Sequence, residues 1–428
     1  MTRPAIEVAD IARAQGRQFL ERYQSSLSYQ QLKAYRAVVR CRTAALGGHV
    51  DVCHGCGYQT GISYNSCRSR CCPKCQAQAR QRWIEAQQRN LLPTGYFHVV
   101  FTVPHQLNVF ALTSPAAFYD LLFSASSQTL LEAAADPEWL GAEIGFLAIL
   151  HSWGSNLLLH PHAHCVVPGG GLSRDHQRWI HTRHPRFLMP IPVLRRLFRQ
   201  KFSDGLERLY RKGLLHCGGP AETWSDPARF SELIEQLRHK KWIVYAKPPF
   251  GQAAQVLRYL GRYTHRMAIS NHRLLDFDGE HVTFRYKDYA HGAKQRSMTL
   301  DATEFLRRFF LHVLPRGFVR IRHFGLLANR FRHQSLPLAR RLLAVNTDPL
   351  PESAQVTPLQ TAPLWHCPRC GGRCAWREDS RRRSCISNNS TPHDSPFQPG
   401  LRTCSMHAIT LVCPTAAQPS SASTCSSS

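Results

Sequence analysis

Residues Asn156 to Gly171 read NLLLHPHAHCVVPGGG, a stretch apolar enough for a buried strand that nonetheless carries His160, His162 and His164 at every second position. Side chains two apart on a strand leave the same face. The spacing therefore predicts that His162 and His164 project side by side while Ala163 faces a core. Two imidazoles placed this way can offer two nitrogens to one ion, and a histidine pair filling a structural role is the alternative. Pro161 cannot donate to a strand ladder, which marks His160 as an edge or entry position and leaves His162 and His164 as the favoured ligands.

Working outward, the preceding EIGFLAILHSW, residues 143–153, reads as a strand, and WGSN as a tight turn into the histidine strand, so the two should pair as an antiparallel hairpin. YFHVVFTVP, Tyr96 to Pro104, is β-branched and aromatic and is ended by proline. KWIVYAKP is a further strand, and HRLLDFDGEHVTFRYKDY a hairpin around Asp278-Gly279. Between these lie helical patterns. Two amphipathic helices are expected in residues 1–45, and QAQARQRWIEAQQRNLL should stop at Pro93. Ser114-Pro115 reads as an N-cap and first helical position opening a helix to about Ala135. VLRRLFRQKFSDGLERLYRKGLL is strongly basic, GQAAQVLRYLGRYTHRMAIS has helical spacing, and ATEFLRRFFLHVL is closed by Pro315. The fold class expected is α+β, a central antiparallel sheet with flanking helices, preceded by a helical and zinc-ribbon-like module.

Against 28 Asp+Glu the 428 residues carry 54 Lys+Arg, a formal charge of +26 spread over several segments. A positive surface of that extent points to a polyanion, above all nucleic acid. No apolar run suits a signal peptide or reaches the roughly 18 residues of a membrane helix. A soluble protein of the reducing cytoplasm is the expectation. Sixteen cysteines there point to metal ligands more than to disulfides.

Those cysteines concentrate in CHGCGYQTGISYNSCRSRCCPKC, residues 53–75. Cys53 and Cys56 form one C-x2-C knuckle and Cys72 and Cys75 another, and four thiolates so spaced can close a tetrahedron around Zn2+. Cys41, His49, Cys67 and Cys71 remain for a second zinc ion or for core positions. Cys367 and Cys370 repeat the spacing in CPRC without an obvious second knuckle. In RYLGRYTHR, Tyr259 and Tyr263 lie four apart and share a helix face. An aromatic pair in a core stripe would look the same, but Arg258, Arg262, His265 and Arg266 flank it densely.

Taken in order, FTVP, HPHAHCVVPGGGLS and YLGRYTHR resemble the three motifs of rolling-circle nucleases with a His-hydrophobe-His motif. They are most similar to the two-tyrosine transposases of bacterial insertion sequences, in the group named after insertion sequence ninety-one. CRTAALGGHVDVCHGCG…YNSCRSRCCPKCQ resembles that group's zinc-binding domain, and EFLRRFFLHVLPRGFVRIRHFGLLANR its C-terminal region. The resemblance spans roughly residues 15–375. It implies that His162 and His164 bind a catalytic Mg2+ or Mn2+, that Tyr259 and Tyr263 are nucleophiles, and that the substrate is DNA, especially single-stranded element ends, handled in the bacterial cytoplasm at the nucleoid. Two histidines are not a full shell, and His151 and Asn156, across or along the hairpin, are the candidates for a third ligand. The family tends to carry histidine where this chain has Cys71, which leaves the second zinc site open.

The expected organisation is a DNA-binding helical and zinc-binding domain over 1–92 and a strand-transfer nuclease domain over 93–275. A basic extension over 276–343, a linker with a short knuckle over 344–379 and a Ser/Thr/Pro-rich tail over 380–428 follow. Two other functions fit parts of this pattern: a replication initiator or relaxase sharing the chemistry, and a zinc-dependent DNA-binding regulator without catalysis.

Overall fold

The histidine stretch forms a strand in the middle of a five-stranded antiparallel sheet. A computed structural model describes residues 4–53, 55–184, 188–250, 261, 267–288, 291–345, 367, 369–370 and 374–376. The N-terminal region holds α1 (Val8–Ala14), α2 (Gly16–Tyr23) and α3 (Tyr29–Arg40), then a hairpin of β1 (Gly48–Cys53) and β2 (Gln59–Tyr64), then α4 (Pro73–Gln88). Three helices stand where two were expected, because Gln15 leaves helical geometry between α1 and α2. The break seats Gly16 beneath Tyr35, where any β-carbon would collide with the phenol. Ser28 opens α3 with a capping box, its hydroxyl accepting from the Gln31 amide and its own amide donating to the Gln31 side chain.

The central region contributes β3 (Tyr96–Thr102), α5 (Asn108–Thr113), α6 (Pro115–Ala135), β4 (Gly145–Trp153), β5 (Leu159–Pro168) and a small ribbon of β6 (Gly170–Leu172) with β7 (Trp179–His181). Helices α7 (Ile191–Arg211) and α8 (Pro227–His239) precede β8 (Ile243–Phe250). Pro115 begins α6 as expected, but the Ser114 hydroxyl accepts from the His216 amide at 2.7 Å and makes no cap. Next come β9 (Leu274–Phe277), β10 (His281–Asp288) and β11 (Lys294–Asp301), a second antiparallel sheet turning at Asp278-Gly279 as the sequence suggests. The helix Ala302–Leu311, β12 (Ile321–Gly325), the helix Arg332–Val345 and β13 (Cys374–Trp376) complete the described elements.

The large sheet has the order β12-β4-β5-β3-β8. Strand periodicity sorts its faces. Phe97, Val99 and Phe101 of β3, Phe146, Ala148 and Leu150 of β4, and Ala163, Cys165 and Val167 of β5 enter one core. There they meet Phe118 and Phe123 of α6, Phe198 and Phe202 of α7 and Trp242. On the opposite face, Tyr96, Leu147, Ile149 and Val166 are covered by Trp83 and Ile84 of α4. Farther along that same face lie the histidines, beyond the reach of α4's apolar cover.

A second core joins parts of the chain far apart in sequence. Val8, Phe19, Tyr35 and Val38 of α1–α3 pack with Val282 and Phe284 of β10 and with Phe305, Phe309 and Phe310. Trp153 and Leu157, at the turn of the histidine hairpin, enter the same cluster. His312 locks that turn from within, its Nε2 donating to the Leu157 carbonyl at 3.0 Å and its Nδ1 accepting from the Ser152 hydroxyl at 3.2 Å. All of this belongs to one compact unit, residues 1–380. Among the described residues no helix is long and apolar enough to cross a membrane.

Candidate metal centres and the histidine cleft

The β4–β5 register sets His151 directly opposite His162, and Ile149 opposite His164. His162 and His164, two apart, leave the sheet on one face as expected, and the facing strand adds His151 to them. One ring nitrogen from each of the three lies within 4.8 Å of the others. Each ring is held. His162 Nδ1 donates to the His160 carbonyl at 2.6 Å, which leaves Nε2 with the lone pair. His164 Nδ1 shares a hydrogen bond with Nε2 of buried His98 at 2.8 Å. His151 stacks on Trp153 with centroids 4.5 Å apart and planes 21° from parallel. His160 is exposed and supplies a carbonyl oxygen here, with its ring outside the group of three.

Burial keeps His162, His164 and His98 uncharged near neutrality. Burial lowers His162 to about 3, with the neighbouring His160 adding to the effect, and burial likewise takes His164 well below the ordinary imidazole range. His98 falls to about 4, first through burial and then through nearby Lys247. Three imidazoles with converging nitrogens fit a divalent transition-type cation better than Mg2+, which prefers oxygen.

The cluster lines a cleft of about 940 Å³. His98, Val100 and Thr102 of β3 and Tyr245 and Lys247 of β8 form the floor beside the histidines; Arg285, Tyr286 and Lys287 of β10 and Gln295 of β11 rise as the opposing wall. Arg273 ties wall to floor, its guanidinium donating to the Ser155 carbonyl and, at 2.7 Å, to the Arg285 carbonyl. Tyr245 is 48% exposed and its ring faces the Lys247 ammonium. Cations interleaved with exposed aromatic faces suit a single nucleic-acid strand. Tyr259, Tyr263, Arg258, Arg262, His265 and Arg266 lie outside the described residues.

The cysteines assemble differently from expectation. Cys53 and Cys56 do not meet Cys72 and Cys75. Instead Cys41, Cys67, Cys72 and Cys75 form one group, and Cys53, Cys56, Cys367 and Cys370 another, each with its four sulfurs within 4.8 Å. The reason is length. Cys41 and Cys67 flank the β1–β2 ribbon at its base, beside the start of α4, whereas Cys53 and Cys56 sit at its tip. Six extended residues separate base from tip by roughly 20 Å, too far for one ion to span.

In the first group Cys75 lies 3.6 Å from both Cys41 and Cys67, and Cys72 lies 3.6 Å from Cys41. A tetrahedron with Zn–S bonds of about 2.3 Å has S···S edges of about 3.8 Å, so the set fits zinc. Cys41, Cys67, Cys72 and Cys75 are not in disulfides. Cys71 stays out of both groups. It is buried beside Arg70 and Arg320, with its thiol pushed up by burial. His49 lies on β1 with its side chain outside the described set. The pairing of Cys367 and Cys370 with Cys53 and Cys56 was invisible in the sequence, where their shared C-x2-C spacing was the only sign. His98 was missed too, although it alternates with Val100 and Thr102 along β3.

Comparison with known proteins gives a consistent picture. A family model described as "Putative transposase" matches residues 145–335, and one described as "Transposase zinc-binding domain" matches residues 11–103. The protein "Putative transposase y4qJ" of Sinorhizobium fredii is 48% identical over 378 residues, which cover 86% of this chain and 94% of that protein. The "Transposase for insertion sequence element IS801" of Pseudomonas savastanoi pv. phaseolicola is 27% identical over 367 residues, 81% of this chain and 83% of that one. No solved structure matches the chain. The zinc-binding region encloses all four cysteines of the first group, and the other region spans the three clustered histidines.

Proposed function

The chain belongs to the transposase family of IS91-type insertion sequences, and from that premise we propose that it nicks and joins single DNA strands at element ends through a covalent phosphotyrosine. The observation that carries this reading is the trio His151, His162 and His164, convergent at the floor of a basic cleft. A bound Mn2+ or Mg2+ would polarise the scissile phosphate there as a Lewis acid.

The protein's own groups do the rest. The bond from His162 Nδ1 to the His160 carbonyl and the bond from His164 Nδ1 to His98 hold two lone pairs toward one point. Lys247 and Arg285 flank the path of the backbone, and Tyr245 and Tyr286 offer faces for unpaired bases. The nucleophiles proposed are Tyr259 and Tyr263. A phenol gives up its proton, its oxygen forms the new bond to phosphorus, and the strand-end oxygen leaves and takes up a proton. Phosphoester is exchanged for phosphoester, so a later strand-end hydroxyl reverses the step without ATP. Gly261 lies midway between the two tyrosines in sequence and is itself described. It is buried against Ile84 and Arg80 of α4, on the histidine-bearing side of the large sheet. Arg258, Arg262 and Arg266 would add cations to the same segment.

Incubation of the protein with single-stranded oligonucleotides from the element ends and Mn2+ or Mg2+ tests this. A denaturation-resistant protein–DNA adduct is expected, and none should form with the Tyr259→Phe/Tyr263→Phe double variant. An undiminished adduct in that variant would end the proposal. With two nucleophiles, each single Tyr→Phe change should impair strand transfer more than nicking.

A further inference from the structure

The matched zinc-binding region stops at residue 103, yet the tip of its ribbon finds half of its sulfur partners more than two hundred and fifty residues further on. We infer that Cys53, Cys56, Cys367 and Cys370 form a second zinc site, a clasp that fastens the C-terminal segment to the N-terminal ribbon.

Three independent features support it. The first is donor geometry. Cys53 Sγ lies 3.5 Å from Cys370 Sγ, and Cys56 Sγ lies 3.6 Å from Cys367 Sγ. These approach the edge of about 3.8 Å set by tetrahedral Zn–S bonds and are far from the 2.05 Å of a disulfide.

The second is the turn chemistry of the knuckles. The Cys53 amide donates to the Tyr58 carbonyl at 2.9 Å, and the Gly57 amide to the Cys53 carbonyl at 3.0 Å, with Gly57 at φ +68°. That curls the tip so that Cys53 and Cys56 face one point. Across from it the Arg369 amide donates to Cys367 Sγ at 3.4 Å, as backbone amides do for a thiolate. Gly55 lies close to both strands of the clasp, its β-carbon position 3.7 Å from Cys370 Sγ and 3.8 Å from Cys53 Sγ.

The third is backbone continuity. β13 pairs antiparallel with β1 through Asp51–Trp376, Val52–Ala375 and Cys53–Cys374, turning the two-stranded ribbon into a sheet of order β13-β1-β2. A three-residue strand contributes too few hydrogen bonds to hold a distant segment in place. A tetrathiolate ion supplies the missing attachment, because metal binding free energy is folding free energy.

Metal content of the full-length protein carrying His162→Ala/His164→Ala, which takes the imidazole trio out of the count, purified reduced with Zn2+, decides the matter. Two zinc ions per chain are expected in this parent, and every cysteine variant below is made in it. The Cys367→Ser/Cys370→Ser variant should hold one, as should Cys53→Ser/Cys56→Ser. The quadruple variant should also hold one, since both pairs serve a single ion. The Cys41→Ser/Cys72→Ser variant reports the base site separately. Amide exchange of residues 48–53 should quicken in the Cys367→Ser/Cys370→Ser variant as β13 releases. One zinc in the His162→Ala/His164→Ala parent, or two retained there after loss of Cys367 and Cys370, would overturn the clasp. This count is independent of DNA cleavage, so failure of the proposed chemistry would leave it standing.

Discussion

At the residue scale, the decisive feature is how the histidines are held. His98 touches no candidate ion, yet its bond to His164 Nδ1 at 2.8 Å selects which nitrogen His164 presents. We expect His98→Ala to raise the Mn2+ concentration needed for half-maximal adduct formation by about 10–100-fold, with adduct recovered at high metal. A metal titration of adduct yield measures this; an unchanged midpoint would make His98 a packing residue. His162→Ala should abolish the adduct while a gel shift still shows DNA binding, because the cations of the cleft remain. Much of this was legible in the sequence. The every-second-position spacing sufficed to put His162 and His164 on one face. The hairpin read from WGSN also offered His151 and Asn156 as a third ligand; the register picks His151, while the Asn156 side-chain oxygen accepts from the Leu158 amide. His98 needed β3 as a neighbour, which local periodicity does not give.

At the element scale, strand ends depend on residues that let backbones approach. Gly325 ends β12 opposite Gly145, the register pair that closes the sheet's edge against β4. Its φ is +59°, and a β-carbon there would strike the Ile144 carbonyl oxygen. Gly325→Ala therefore combines backbone strain with a clash against main chain and should destabilise the fold by about 2 kcal/mol or more. Chemical denaturation reads that loss directly. Strands β3, β4, β5, β8, β9 and β10 followed from β-branched and aromatic runs, and the hairpin turns from WGSN and Asp278-Gly279. The split between α1 and α2 did not, because it answers to Tyr35 packing over Gly16 and not to helix propensity.

At the scale of the whole molecule, stability should depend on acidity through histidines buried without charge. His312 is buried beneath the histidine hairpin, and desolvation lowers it to about 4 from an ordinary 6.5. The folded state resists its proton while the unfolded state accepts it. Stability is thus level above about pH 6.5, falls as pH drops toward about 4, and flattens below that. His312 alone accounts for about 3 kcal/mol of the fall at most. Denaturant midpoints across that range should show the decline, and His312→Gln should flatten it. Parallel profiles for the two proteins would refute the assignment.

Local chemistry in the sequence determined β3, β4, β5, β8, β9 and β10, most helices, the paired histidines, the C-x2-C knuckles and the basic character, since each depends on spacing within a few residues or on composition. Tertiary structure alone decided which sulfurs come together, that β12 closes the sheet beside β4, and that α1–α3 share a core with residues 267–311. Those outcomes depend on the length of a ribbon, the pairing of strands far apart in sequence and the meeting of surfaces hundreds of residues apart. No local pattern encodes such distances; they emerge only when the chain closes on itself.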